Sequence, residues 1–286
     1  MNYIKKIGYP FGFTALLLGS ALLSGCVSVT LHDKTEQQKE REVTSFKEAR
    51  PQGLTQVATI DSLLAGVYDG VMSFEELKKN GDFGIGTFNR LDGEMVMFSG
   101  DVYQVCADGR VYRPSDAMTT PFASVMFFDP NYKTQVSGPL DYEGLSDSVD
   151  ELCPQKNIPI AVHIRGKFSS MKTRSVPAQN APYPPLVEVT RNQPEFELGK
   201  VEGDVIGYRL PDYLKGINVP GYHLHFLSAD RKTGGHILAM ELDSGKIEVQ
   251  QVHDFRLILP KNSAGFAEAD LSRDRSSELK EVESGR

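Results

Sequence analysis

Tryptophan is absent from the 286-residue chain, and cysteine occurs only three times. Three thiols cannot staple a disulfide-built scaffold, so an apolar core must carry the fold. Basic residues are outnumbered, 31 to 38, and the formal charge is −7. Without a basic excess the chain lacks the electrostatic footprint of a nucleic-acid partner. Long hydrophobic runs are also missing. The apolar stretch from Phe11 to Leu23 is too short for a spanning helix, which excludes a multi-span membrane protein. What remains is ordinary for a soluble globular protein: 40% hydrophobic residues, 24% charged, and 26 glycines and 16 prolines that supply many turns. The length fits one large domain or two small ones.

The N-terminus reads as an address. Lys5 and Lys6 form a basic start, the apolar run follows, and Ser24-Gly25 puts small residues before Cys26. Leu23-Ser24-Gly25-Cys26 resembles the bacterial lipobox. It implies a signal peptide over 1–25, a lipidated Cys26, and an extracytoplasmic protein anchored to a membrane surface by its acyl chains. Residues 26–56 read as a tether, because Asp33 to Arg50 carries many charges and few large apolar residues. Cys106 and Cys153 are expected to be free thiols, although an oxidising compartment would permit a bond between them.

The body reads as α+β, with two β-rich halves of mixed or antiparallel sheet, residues 57–185 and 186–286, and helices mainly in the N-terminal half. Asp61 to Leu64 starts one helix. Ser73 to Glu76 is a capping box opening a second, which Asn80-Gly81 would end in a left-handed cap. Glu94–Phe98, Val102–Val105 and Val111–Arg113 form a meander around tight turns at Leu91-Asp92-Gly93-Glu94 and Ser99-Gly100-Asp101. Ser124–Phe128 and Ile160–Phe168 are further strands. After the proline-rich stretch 178–185, strands are expected at Leu186–Thr190, Asp204–Leu210, Tyr222–Leu227, His236–Leu242 and Lys246–Phe255.

Half of the six histidines fall between residues 223 and 236. On a strand, residues i and i+2 share a face, so His223 and His225 present two imidazoles side by side. Asp230 to Gly235 is a natural turn, and a hairpin centred there puts His236 opposite His225. Three nitrogen ligands with an open fourth position suit a catalytic zinc, although imidazole also serves other transition metals. His163 and His253 are expected to be packed and hydrogen-bonded strand residues, and His32 lies in the tether.

Longer motifs identify a family. Gly81-Asp82-Phe83-Gly84-Ile85-Gly86-Thr87-Phe88-Asn89, Leu91-Asp92-Gly93-Glu94, Lys172-Thr173-Arg174-Ser175-Val176-Pro177 and Gly216 to Phe226 resemble, in this order, the acetolactate decarboxylases. The resemblance implies conversion of (S)-2-acetolactate to (R)-acetoin and carbon dioxide. It implies Zn2+ held by His223, His225 and His236, and a homodimer. It carries catalytic roles onto Glu94, Arg174 and a glutamate of the tail, Glu283 or Glu281, with Thr87 lining the substrate pocket. Such chemistry needs no organic electron sink, because the substrate's own ketone accepts the electrons as an enediolate, stabilised by a Lewis acid. Two other readings stand beside it. A cupin-like dioxygenase or isomerase would bind iron and consume oxygen. A non-enzymatic surface lipoprotein would bind no metal tightly.

Overall fold

The computed structural model describes residues 53–284. The expected signal peptide, Cys26 and the tether up to residue 52 lie outside the described residues. The chain runs through β1 (Leu54–Val57), α1 (Ile60–Leu64), β2 (Met72–Ser73), α2 (Phe74–Leu77), β3 (Phe83–Thr87), β4 (Glu94–Phe98), β5 (Asp101–Val105), β6 (Val111–Tyr112), β7 (Thr119–Thr120) and β8 (Ala123–Met126). There follow β9 (Tyr132–Asp141), α3 (Tyr142–Leu152), β10 (Ile160–Arg174), α4 (Leu186–Thr190), β11 (Glu195–Leu198), β12 (Val201–Leu210), β13 (Gly221–Ser228), β14 (Gly234–Gln251), β15 (Phe255–Ile258), α5 (Ala264–Glu268) and α6 (Ser276–Ser284).

Strand is the dominant element, as expected. One sheet has the order β15-β1-β8-β3-β4-β5-β6 and the other β11-β10-β12-β13-β14-β9, while β2 and β7 pair separately. Because β14 also pairs with β10, the four strands β10, β12, β13 and β14 close on themselves. The β1–β15 pair is parallel and the other ladders are antiparallel, so the first sheet is mixed. The sheets pack together through Ile85, Val96 and Tyr103 of the first and Ile206, Tyr208 and Leu227 of the second. On the other side of the second sheet, Leu145 and Val149 of α3 cover Val162, Ile164 and Val249. A third apolar cluster joins α1, α4 and α6 through Leu63, Leu186, Val189, Leu279 and Val282.

The sheets do not divide the chain at residue 185. β9 and β10 belong with the C-terminal strands, and β15 returns to the first sheet beside β1. β1 also begins inside the expected tether, which therefore ends by residue 53. Leu186–Thr190 is a helix rather than a strand. Its β-branched residues favour strand locally, but Leu186 and Val189 stand one helical turn apart and bury together against α1 and α6. The capping box at Ser73 and Glu76 forms as expected. The helix ends at Leu77, however, and Gly81 is not left-handed; its missing side chain instead lets the backbone of Met126 approach.

Candidate metal centre

His223 and His225 project from the same face of β13, and His225 pairs directly with His236 of β14. The hairpin expected from Asp230 to Gly235 is present, and Arg231 and Gly235 take its positive φ angles. All three imidazoles are buried, and one ring nitrogen from each lies within 4.8 Å of the others. Ring centroids are separated by 5.0 to 5.5 Å.

Hydrogen bonding decides which nitrogen of His225 is free. Nδ1 lies 3.0 Å from the Met95 carbonyl oxygen, which can only accept, so Nδ1 carries the hydrogen. Nε2 is then a bare lone pair, and it has no hydrogen-bond partner among the described residues. Nδ1 of His223 is likewise buried and unpartnered. Burial, reinforced by the nearby Arg174 charge, pushes His223 down to about 3. Burial also holds His225 and His236 well below the usual imidazole range, with further lowering from neighbouring rings and Arg174. The site therefore presents neutral nitrogen donors, the protonation state that metal binding needs.

Two carboxylates border the rings. Glu94 Oε2 lies 3.6 Å from His225 Nε2, and Glu283 Oε2 lies 3.7 Å from His236 Nε2. Burial pushes both acids up to about 7, against the lowering influence of Arg174; for Glu94, the Glu283 charge adds to the rise. Glu94 arrives at this position through Thr87, its partner across the β3–β4 ladder, and through Gly93, whose φ of +93° closes the turn. The Thr87 hydroxyl donates to the Gly93 carbonyl at 2.7 Å and so ties the turn shut.

Arg174 stands at the end of β10, 3% exposed, with His236 opposite it on one edge and Glu195 of β11 on the other. Gly235 permits this approach: a Cβ there would stand 2.4 Å from the Arg174 carbonyl oxygen. Nη1 of Arg174 donates to Gln193 Oε1 at 3.2 Å and to the Val282 carbonyl. Arg174, Glu94, Glu283 and the three histidines line one cavity, with Leu63, Leu91, Phe122, Val176 and Leu186 as its apolar wall. Every expected residue of the metal site and pocket is thus brought together: His223, His225, His236, Glu94, Arg174, Thr87 and Glu283. Glu281 is turned away and pairs with Arg191 on the surface at 3.0 Å.

Three neutral nitrogens, two of them buried without partners, beside carboxylates within 4 Å, fit a divalent transition metal. Sequence reasoning missed the Met95 carbonyl, Gln193 and the apolar wall, although Leu91 and Val176 of that wall lie in the motifs that carry the family resemblance. His163 is packed as expected, its ring nitrogens 3.1 and 3.0 Å from Glu248 and Asp204. His253 instead lies exposed in the loop between β14 and β15. Cys106 and Cys153 are free thiols.

The profile of the alpha-acetolactate decarboxylase family matches residues 54–273. The alpha-acetolactate decarboxylase of Methylococcus capsulatus is 42% identical over 228 residues, covering 80% of this chain and 87% of that protein. Its counterpart from Methanosarcina mazei is 39% identical over 267 residues, covering 91% and 92%. The crystal structure of alpha-acetolactate decarboxylase from Bacillus subtilis strain 168 superposes with a TM-score of 0.78 at 37% identity. That match covers 82% of this chain and 99% of the other.

Proposed function

The chain belongs to the alpha-acetolactate decarboxylase family, and from that premise we propose that it converts (S)-2-acetolactate to (R)-acetoin and carbon dioxide. The observation that carries the reading is the meeting of three neutral imidazoles with Arg174, Glu94 and Glu283 around one cavity.

His223, His225 and His236 would hold Zn2+. When bound, the ion supplies Lewis acidity that stabilises negative charge developing on the substrate's oxygens. Arg174 offers a buried cation to the substrate carboxylate. As the bond from C2 to the carboxylate breaks, the electron pair moves toward the neighbouring ketone and leaves an enediolate. One proton must then be added to one face of that species, so each turnover consumes one proton. Glu94 and Glu283 border the reacting space, 3.6 Å from His225 and 3.7 Å from His236, which places them to deliver it. Leu63, Phe122 and Val176 give the same cavity an apolar wall. The reading is tested by incubating the purified protein with racemic acetolactate and resolving the acetoin on a chiral column. It predicts (R)-acetoin from the (S)-substrate; substrate left intact would contradict it.

We propose further that Cys26 is lipidated after removal of residues 1–25, so that the enzyme works outside the cytoplasm on a membrane surface, as a homodimer. The lipobox-like Leu23 to Cys26 supports the anchor. Fatty-acid labelling of wild-type protein and of Cys26→Ala tests it; labelling retained in the variant would remove the claim.

A further inference from the structure

We infer that Gln193 is a positioning residue. With the Val282 carbonyl it holds one nitrogen of Arg174, so that the opposite edge of the guanidinium, Nε with Nη2, receives the substrate's carboxylate. The inference rests on the decarboxylase reading and deepens it.

A guanidinium has five N–H donors in one plane: one on Nε and two on each terminal nitrogen. In Arg174 both hydrogens of Nη1 are committed, one to Gln193 Oε1 at 3.2 Å and one to the Val282 carbonyl. Nε is buried and has no partner among the described residues, and Nη2 donates to none of them. Leaving a buried charged donor unpaired is costly, so this edge is built for something that is not protein. The N–H of Nε and the nearer N–H of Nη2 run parallel, a fork that matches the two oxygens of a carboxylate. Arg174 borders the cavity of the three histidines, which is where such a ligand would sit.

Gln193 is itself held from several directions. Its backbone N–H donates to the Thr190 carbonyl at 3.3 Å and closes the turn after α4. The next residue, Pro194, accepts the amide of Ser175 at 3.2 Å, and Glu195 then pairs with Arg174 across β10 and β11. Position 193 is therefore locked to the strand that carries Arg174. Chemistry explains the residue type. A neutral amide accepts a hydrogen bond without cancelling the cation, whereas a carboxylate there would weaken the attraction for an anionic substrate. Fixing Nη1 also removes the rotations that would turn the fork away, so less freedom is lost when the substrate binds.

The test separates anion recognition from general fit. 2-Hydroxy-2-methylpropanoate has a carboxylate and a tertiary hydroxyl but no ketone to accept electrons, whereas acetoin lacks the carboxylate. Inhibition constants for both, or affinities by calorimetry, are measured on the zinc-loaded protein. Gln193→Leu should weaken the hydroxyacid roughly tenfold or more and leave acetoin within about twofold. Gln193→Asn keeps the amide but falls one methylene short, and should shift the same ratio if the leucine variant does not fold. Unchanged hydroxyacid affinity in a folded variant would overturn the inference, as would parallel loss of both ligands. A wild-type protein that binds the hydroxyacid but releases no carbon dioxide from acetolactate would instead contradict the decarboxylase reading.

Discussion

Arg174 and His236 stand directly opposite one another across the β10–β14 ladder. His236 is in turn opposite His225 across β13 and β14. The cation and the imidazole trio are therefore set by strand register rather than by loops. A slip of one residue would send alternate side chains to the other face and dismantle the site.

Replacing His225 with alanine removes the nitrogen donor whose orientation is fixed by the Met95 carbonyl. Bound zinc should fall below about a tenth of an equivalent, and turnover should fall by about a hundredfold or more. Metal analysis beside an acetoin assay checks this. A metal-free variant that remained active would contradict the assignment.

Arg174→Ala is expected to retain zinc, because Arg174 is not among the three converging donors. Turnover should nevertheless drop by about 10²- to 10³-fold. Arg174→Lys should recover only part of the loss, since an ammonium cannot reproduce the fork. Full zinc loss in Arg174→Ala, seen by the same metal analysis, would count against the separation of roles.

Gly235→Ala tests the packing behind the site. The backbone there has a φ of +128°, and the new methyl would stand 2.4 Å from the Arg174 carbonyl oxygen. The variant should lose more than about 2 kcal/mol of stability by denaturant titration and bind zinc more weakly. Wild-type stability would mean that β10 and β14 are not held as closely as described.

Acid sensitivity should arise at Glu248, outside the histidine cluster. Burial tends to raise Glu248, but hydrogen bonds from Lys246 and His163 outweigh it and bring the acid down to about 2. A folded value below the ordinary carboxyl range contributes stability that is present above about pH 4.5 and lost as pH falls toward 2. Glu248→Gln should therefore melt below wild type by about 2–4 °C at pH 7, with the gap shrinking toward pH 3. A gap that widened in acid would reverse the sign of this argument.

The convergence of the three imidazoles was legible because their geometry is local: two histidines at i and i+2, a turn, and a third at the paired position. Arg174, Glu94 and Thr87 were legible through the family motifs alone. Nothing in their spacing says that the Arg174 strand lies against His236. Gln193 and the Val282 carbonyl were invisible for the same reason, since each meets Arg174 only after strands and tail come together. Leu186–Thr190 misled because β-branched residues speak for strand until the cluster with α1 and α6 exists to bury a helical face. The sheet membership of β9, β10 and β15 was not legible, because strand pairing, not chain order, decides which sheet they join.

We propose that a zinc ion held by His223, His225 and His236 is required for carbon dioxide release. The most direct measurement is acetoin formation by the purified protein before chelation, after chelation and after zinc is restored. Activity should vanish with the metal and return with about one equivalent of zinc. Undiminished acetoin formation by protein shown to be free of metal would contradict the account.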